Sequence, residues 1–395
     1  MKNEKIALYS AVGPELTRYD VDVAKLELAK RESITAPSNV QYVWPHPTRK
    51  YLYLISSPRG PGEIGAKGGN HFLTAYRIDQ KTGALALHGS PQALTHRPLH
   101  VCVDATGTYA LAAYNDPSAL TVHRIYRDGS VGEKVEQQGD LDFGIFAHQV
   151  RFTPDNRFVI LVTRGNDAAG GKPEDPGALK VFRFNDGILT NAGSIAPGGG
   201  YGFGPRHLDF HPGKPWVYVS LERQNQLNVF QYAEGGLRHL PEFTRDTLAE
   251  PGNVRPRQLG GTVHVHPNGK FVYVANRADH AAEVDGRKVF TGGENNIAVY
   301  SIDAQSGKPA LIQHIDTEGF HVRTFALDPS GRMLVAASIL SLYVKKGAAI
   351  TGVPAGLSVF RVGGDGRLEF VRCYDVETDH KNQFWMGVIG FAPVT

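Results

Sequence analysis

Two cysteines in 395 residues, Cys102 and Cys373, are too few for a disulfide framework or a zinc knuckle. They are expected to be buried thiols in a reducing cytosol. No apolar run approaches the roughly 20 residues of a membrane-spanning helix. Behind Met1-Lys2-Asn3-Glu4-Lys5 only Ile6-Ala7-Leu8-Tyr9 is apolar, too short for a signal-peptide core, so a cytoplasmic location is expected. Charge of one sign is missing as well. The 42 Lys+Arg against 39 Asp+Glu leave +3, which gives no basis for a nucleic-acid or membrane-surface partner. Apolar runs at helical period are scarce. The 45 Gly and 24 Pro instead suit many short strands and turns, and 41% hydrophobic residues suffice for a core.

What is present is a repeat. An alternating apolar stretch enters a turn, usually at proline, and a second stretch rich in Tyr and Val leaves it. Val43-Trp44-Pro45-His46-Pro47 leads to Tyr51-Leu52-Tyr53-Leu54, and Val150 to Pro154 leads to Phe158-Val159-Ile160-Leu161. Leu208 to Pro212 with Trp216-Val217-Tyr218-Val219, Val263 to Pro267 with Phe271-Val272-Tyr273-Val274, and Phe325 to Pro329 with Met333-Leu334-Val335 repeat it. Val101-Cys102-Val103-Asp104 is a further copy, with Ala105 at the turn. The turn positions 47, 105, 154, 212, 267 and 329 lie 58, 49, 58, 55 and 62 residues apart. Propeller blades run at about 40–50 residues, so these are blades with long loops. Val388 to Pro393 is a first strand with nothing after it, and Ile6 to Ser10 is its missing second strand. The termini share a seventh blade, which removes the free sheet edges. Residues 21–31 follow the repeat register as strand. The expected fold is all-β, a single seven-bladed β-propeller domain over 1–395.

Strand parity then locates a site. Two and four residues before each turn the side chains are apolar. Six before, at the same parity, stand Gln41, Leu99, His148, Arg206, Gly261, Arg323 and Gly387. Ten after the turn stand Ser57, Asn115, Arg164, Glu222, Arg277 and Ile339. Both sets should ring one mouth of the central channel. There Arg164, Arg206, Arg277, Arg323 and His148 face a single carboxylate, Glu222, so the mouth should draw an anionic ligand. Gln41, Asn115, Arg164, Arg323 and His207 are the candidate substrate-binding residues. His207, His264, His266 and His321, taken singly, suit structural or supporting roles. Long loops at 57–71, 165–178, 278–296 and 340–356 should rise from the same face. Neither a metal-ligand spacing nor a Gly-x-Ser-x-Gly elbow is present, and the Gly198–Gly204 run is followed by no helix pattern. No metal or cofactor is expected.

The block Gly204-Pro205-Arg206-His207-Leu208-Asp209-Phe210-His211-Pro212 with Tyr218-Val219-Ser220-Leu221-Glu222 resembles the lactonase family of seven-bladed propellers. That family includes propeller-type 6-phosphogluconolactonases and the 3-carboxy-cis,cis-muconate lactonizing enzyme. Val263 to Arg277, Ala147 to Asp155 and Thr324 to Arg332 are similar too, so the resemblance covers nearly the whole chain. It implies an active site of His148, Arg206, Glu222 and Arg277. The chain departs from the family at Thr163-Arg164-Gly165-Asn166-Asp167, and at Val322 before Arg323, where proline is usual.

These residues suit metal-independent hydrolysis of a phosphorylated or carboxylated lactone. Glu222 or His148 would be the base, and Arg206 and Arg277 would hold the anion and the oxyanion. An ionised Glu222 suggests His148 as proton donor to the leaving alkoxide. Glu222→Gln is then expected to end turnover with little loss of stability. The same residues could serve a cycloisomerase acting on a muconate-type carboxylate, or a non-catalytic propeller that binds sugar acids or protein. Arg, His and Glu at recessed strand ends favour an enzyme with a small anionic substrate. Nothing in the sequence indicates an oligomeric state.

Overall fold

The alternating pairs become antiparallel hairpins because each buries one or both faces against the next pair. The computed structural model describes residues 5–58, 67–233, 236–347, 349–379 and 381–391. Seven sheets carry the repeat. Blade 1 is Asn39–Pro45, Tyr51–Ser57, Lys67–Ile78 and Leu85–His96; blade 2 is Pro98–Val103, Tyr109–Asn115, Ser118–Ile125 and Val131–Val135. Blade 3 is Ala147–Phe152, Phe158–Thr163, Ala178–Asn185 and Ile188–Ile195. Blade 4 begins Pro205–Phe210, Trp216–Leu221 and Gln226–Ala233, whose outer edge pairs with Gly236–Leu237 and Phe243–Asp246. Blade 5 is Leu259–Val265, Phe271–Arg277, Asn296–Ile302 and Pro309–Asp316; blade 6 is Phe320–Leu327, Met333–Leu340, Gly356–Val362 and Leu368–Asp375.

Blade 7 is built from both ends of the chain. Its inner strand is Gln383–Phe391, and Lys5–Val12, Glu15–Asp22 and Glu27–Thr35 complete it, with Tyr9 opposite Gly387. Segment 21–31 therefore lies in two strands joined by a turn. The inner strands touch in sequence around the axis, and the last returns to Asn39–Pro45.

The residues that define the repeat bind blade to blade. In the turns, His46 Nε2, His211 Nε2 and His266 Nε2 lie 3.1, 2.9 and 2.8 Å from the carbonyls of Gly107, Gly269 and Gly331 in the next blade. Gly331 has φ +71°, and a Cβ there would come within 2.3 Å of the His266 ring, so only glycine accepts this contact. The second-strand tyrosines reach further out. Tyr9, Tyr53, Tyr218 and Tyr273 donate to the carbonyls of Gly83, Gly129, Gly307 and Gly366 at 2.6–2.9 Å. The Tyr-and-Val pattern is thus a set of inter-blade bonds, with valine filling the space between sheets.

Two expectations change. Cys102 is buried, but Cys373 is exposed, because it lies on the outermost strand of blade 6, whose solvent side is uncovered. Loops 278–296 and 340–356 are not irregular. They carry Ala281–Val284, Arg287–Phe290, Leu342–Lys346 and Ala349–Val353, which form an eighth, four-stranded sheet through a parallel bridge from Val289 to Tyr343. Most of loop 57–71 (residues 59–66) lies outside the described residues. Among the described residues no helix is long and apolar enough to cross a membrane.

Candidate active site

The position six before the turn is special for a reason other than parity. In blades 1 to 6 the inner-strand pairing skips a residue at or beside it: Gln41, Leu99, His148, Arg206, Gly261 with Thr262, and Arg323. Each is a β-bulge, where an extra residue leaves the ladder and its side chain is re-aimed. In blade 7 the skip falls at Phe384 rather than Gly387. His148 and Arg206 therefore reach the centre as bulge residues. Glu222 and Arg277 arrive from the second strands, Glu222 just past Trp216–Leu221 and Arg277 at the end of Phe271–Arg277.

Glu222 is the hub. Its Oε1 accepts from Arg206 Nε at 3.0 Å and from Arg277 Nη2; its Oε2 accepts from Arg164 Nη1 at 2.5 Å. It is only 3% exposed. Burial alone would raise its pKa, but Arg277, Arg164 and Arg206 outweigh this and hold the carboxyl well below the usual carboxylate range. A carboxylate so committed is a weak base. Removing its charge would leave three guanidiniums without their counter-ion, two of them buried. Glu222→Gln is therefore expected to cost about 3–5 kcal/mol of stability as well as activity, replacing the expectation of an unperturbed fold. Urea denaturation checks this through the shift in midpoint.

Arg277 is fixed on every side. Its Nε donates to Gly260 O at 3.2 Å and its Nη1 donates to His321 Nε2 at 2.7 Å. A guanidinium can only donate, so His321 Nε2 must be bare and the proton must sit on Nδ1, 3.1 Å from Asp279 Oδ2. Burial and the nearby Arg277 push His321 down to about 4, so it stays neutral. Asp279 is held in turn by Arg257, through Nε at 2.6 Å and Nη2 at 2.9 Å. His321 has φ +55°, a strained conformation for a buried non-glycine residue. Sequence reasoning placed His321 among supporting residues and missed Asp279 and Arg257 altogether. The only signal was their nearness in sequence to Arg323, Arg277 and the strand before it.

His148 is buried, and burial followed by Arg206 lowers its pKa well below the ordinary value. It is neutral at pH 7, which suits a proton acceptor better than the donor role expected from sequence. His207 is buried, with its ring centroid 5.1 Å from that of His148 and 6.2 Å from that of His100. Arg206 is 1% exposed and, among the described residues, keeps Nη1 without a protein partner.

The other candidates divide. Arg164 is the least buried of the four arginines, stacked 4.1 Å above the Phe146 ring. Asn115 lines a cavity of about 520 Å³ with Phe146, Asn166, Asp167, Lys172 and Asp175. Loop 165–178 forms one wall, held by Arg223 to Asp167 and Glu174 at 3.0 and 3.1 Å. Arg323 instead lies over the Phe384 ring at 3.7 Å and donates to Phe384 O. Gln41 accepts two bonds from Arg97, at 3.1 and 2.9 Å. Both are buried. The cluster is thus lopsided, drawn mainly from blades 3 to 6.

The chain matches the family model described as "Lactonase, 7-bladed beta-propeller" over residues 6–345. It is 27% identical over 372 residues to a 6-phosphogluconolactonase of Bacillus subtilis, covering 90% of this chain and 95% of that protein. A 6-phosphogluconolactonase of Formosa agariphila is 24% identical over 343 residues, covering 82% and 85%. Among solved structures, the periplasmic gluconolactonase of Pseudomonas aeruginosa shares the fold with a TM-score of 0.69 at 20% identity, over 99% of this chain and 100% of that one.

Proposed function

We propose that this chain, which belongs to the lactonase family of seven-bladed β-propellers, hydrolyses a lactone carrying a phosphate or carboxylate, as its relatives named 6-phosphogluconolactonase suggest. The observation that carries the anionic preference is the charge at the hub: three arginines on one carboxylate, with a fourth, Arg323, buried close by. We include in the proposal that the whole chain acts as one domain and works in the cytoplasm.

The substrate's anion would lie against Arg164 at the open side, and the ring carbonyl would lie against Arg206, whose Nη1 is a free donor. Water would attack the carbonyl carbon as His148 takes its proton. The carbon–ring-oxygen bond then breaks, and the imidazolium returns the proton to the leaving alkoxide. Atoms and charge balance without an outside reactant. Burial and, after it, the surplus positive charge keep unliganded His148 a poor base, and the bound anion offsets the charge and raises its proton affinity. Glu222 and the Asp279–His321 pair position the guanidiniums.

Arg164→Ala is expected to raise KM for a phosphorylated lactone by about 10–100-fold, the worth of one charged hydrogen bond. The KM for its unphosphorylated analogue should change little. Initial rates with the two lactones, corrected for spontaneous opening, check this. Equal loss on both would remove Arg164 from anion binding.

A further inference from the structure

Phe146, at the entry to blade 3, has φ +58°, a left-handed conformation that strains any residue but glycine. Four hydrogen bonds hold the segment around it. The Ser118 hydroxyl donates to Phe143 O at 2.8 Å and accepts from Ala147 N at 3.0 Å, so one side chain of blade 2 ties both ends of 143–147. Arg164 N donates to Phe146 O and Gly165 N donates to Ile145 O, each at 3.0 Å. The strained segment is thereby fastened to the chain at Arg164. Packing does not explain the strain. Leu141 and Phe143 join the core cluster between blades 2 and 3, whereas Phe146 is half-buried and stands outside it.

What the ring does touch is the Arg164 guanidinium, 4.1 Å above it. Arg164 Nη1 donates to Glu222 Oε2 at 2.5 Å and Nε to Gly165 O at 3.3 Å, while Nη2 has no acceptor among the described residues. An ion pair through one terminal nitrogen leaves the guanidinium plane free to swing about that contact, and arginine has much rotamer freedom to lose. An aromatic face against the guanidinium removes this freedom before any ligand arrives. The cavity that Phe146 lines is no rival anion site, since Asp116, Asp167 and Asp175 outnumber Lys172 in its wall.

We propose that Phe146 is a positioning residue that sharpens the preference for an anionic lactone. Its ring fixes the plane of Arg164, so that Nη2 is held ready for the substrate's anion while Nη1 stays on Glu222. The proposal rests on the reading of Arg164 as the anion's contact. The strained turn then has a use: it sets the ring against Arg164 just before the chain enters the bulge at His148.

The test is a double-mutant cycle on the affinity for 6-phosphogluconate, the opened form of the phosphorylated lactone, read by isothermal titration. Phe146→Asn removes the ring and keeps a residue that accepts left-handed backbone. It should weaken binding by about 3–10-fold, the worth of ordering one long side chain on binding, whereas Phe146→Tyr should stay within about twofold of the unaltered protein. In an Arg164→Ala background Phe146→Asn should cost nothing further, a result that general damage to the fold would not give. KM for 6-phosphogluconolactone should rise in parallel, and KM for its unphosphorylated analogue should hold steady. Unchanged affinity in Phe146→Asn would overturn the proposal, as would a loss that persists in Arg164→Ala or that falls equally on the neutral lactone. If Phe146→Asn does not fold, Phe146→Leu, which keeps apolar bulk without an aromatic face, carries the same arms. The titration needs no turnover, so the predicted cycle in a protein that opens no lactone would refute the hydrolysis and leave the role of Phe146 standing. An Arg164→Ala protein that binds 6-phosphogluconate undiminished would refute the anion contact and the proposal with it.

Discussion

His148→Asn should lower kcat by about 10²–10⁴-fold, the usual worth of a positioned general base, and leave KM within a few-fold. His148 is a bulge residue in Ala147–Phe152 and makes no hydrogen bond that holds the strand, so a smaller polar side chain should leave the fold intact. The pH profile should carry the same signature. Burial, then Arg206, lowers the pKa of His148 well below the ordinary histidine value, so the acid limb of kcat/KM, which reports the free enzyme, should lie well below pH 6.5. A bound anion favours the protonated ring and raises its pKa, so the acid limb of kcat should lie at higher pH than that of kcat/KM. Stopped-flow initial rates, from enzyme held at pH 7.5 and jumped into buffers of pH 4.5–7.5 before it can unfold, would show the two limbs apart. Coincident limbs would mean that the substrate's charge does not reach His148.

Stability should fall steeply between pH 6.5 and 5, above the range in which carboxylates titrate. Burial lowers the pKa of His100, His123, His148, His207 and His321, with His123 and His321 pushed down to about 4. The unfolded chain takes up a proton on each near pH 6.5, while the native state does not until its own lower pKa is reached. Stability is therefore fully present above about 6.5 and is lost as pH falls toward the folded values, by up to about 1.4 kcal/mol per pH unit for each group. Five such groups together approach the whole stability of an ordinary domain, about 5–15 kcal/mol. Glu222 and Asp279, both held low, add their loss only at still lower pH. Asp316 and Glu318, raised chiefly by burial, act in the opposite direction. A melting temperature that stays level from pH 7 to pH 5 would show that these histidines are solvated in the native state.

The repeat made the fold legible because propeller blades are built from short-range hairpins, and each hairpin leaves its turn and its Tyr/Val strand in the sequence. The split blade was visible for the same reason, since Val388 to Phe391 and Ile6 to Ser10 are halves of one hairpin. The site was reached through a regularity whose cause is different. No residue type marks the bulges at His148 and Arg206, so a parity count picked out these two side chains while assuming an unbroken ladder. Arg323 and Gln41 passed the same count, and they are bound to Phe384 and Arg97. Asp279 and His321 passed no count, because one lies in a loop and the other at a strained backbone position. Their link to Arg277 depends on blades 5 and 6 coming together.

The most direct test is proton NMR of the purified protein with a panel of lactones: 6-phosphogluconolactone, its unphosphorylated counterpart and carboxylated muconolactones, each against its spontaneous opening. Accelerated opening of an anionic lactone is predicted, much faster than that of the neutral analogue and lost in His148→Asn. No acceleration of any lactone, or an acceleration that His148→Asn leaves intact, would contradict the central claim that this arginine-lined histidine opens an anionic ring.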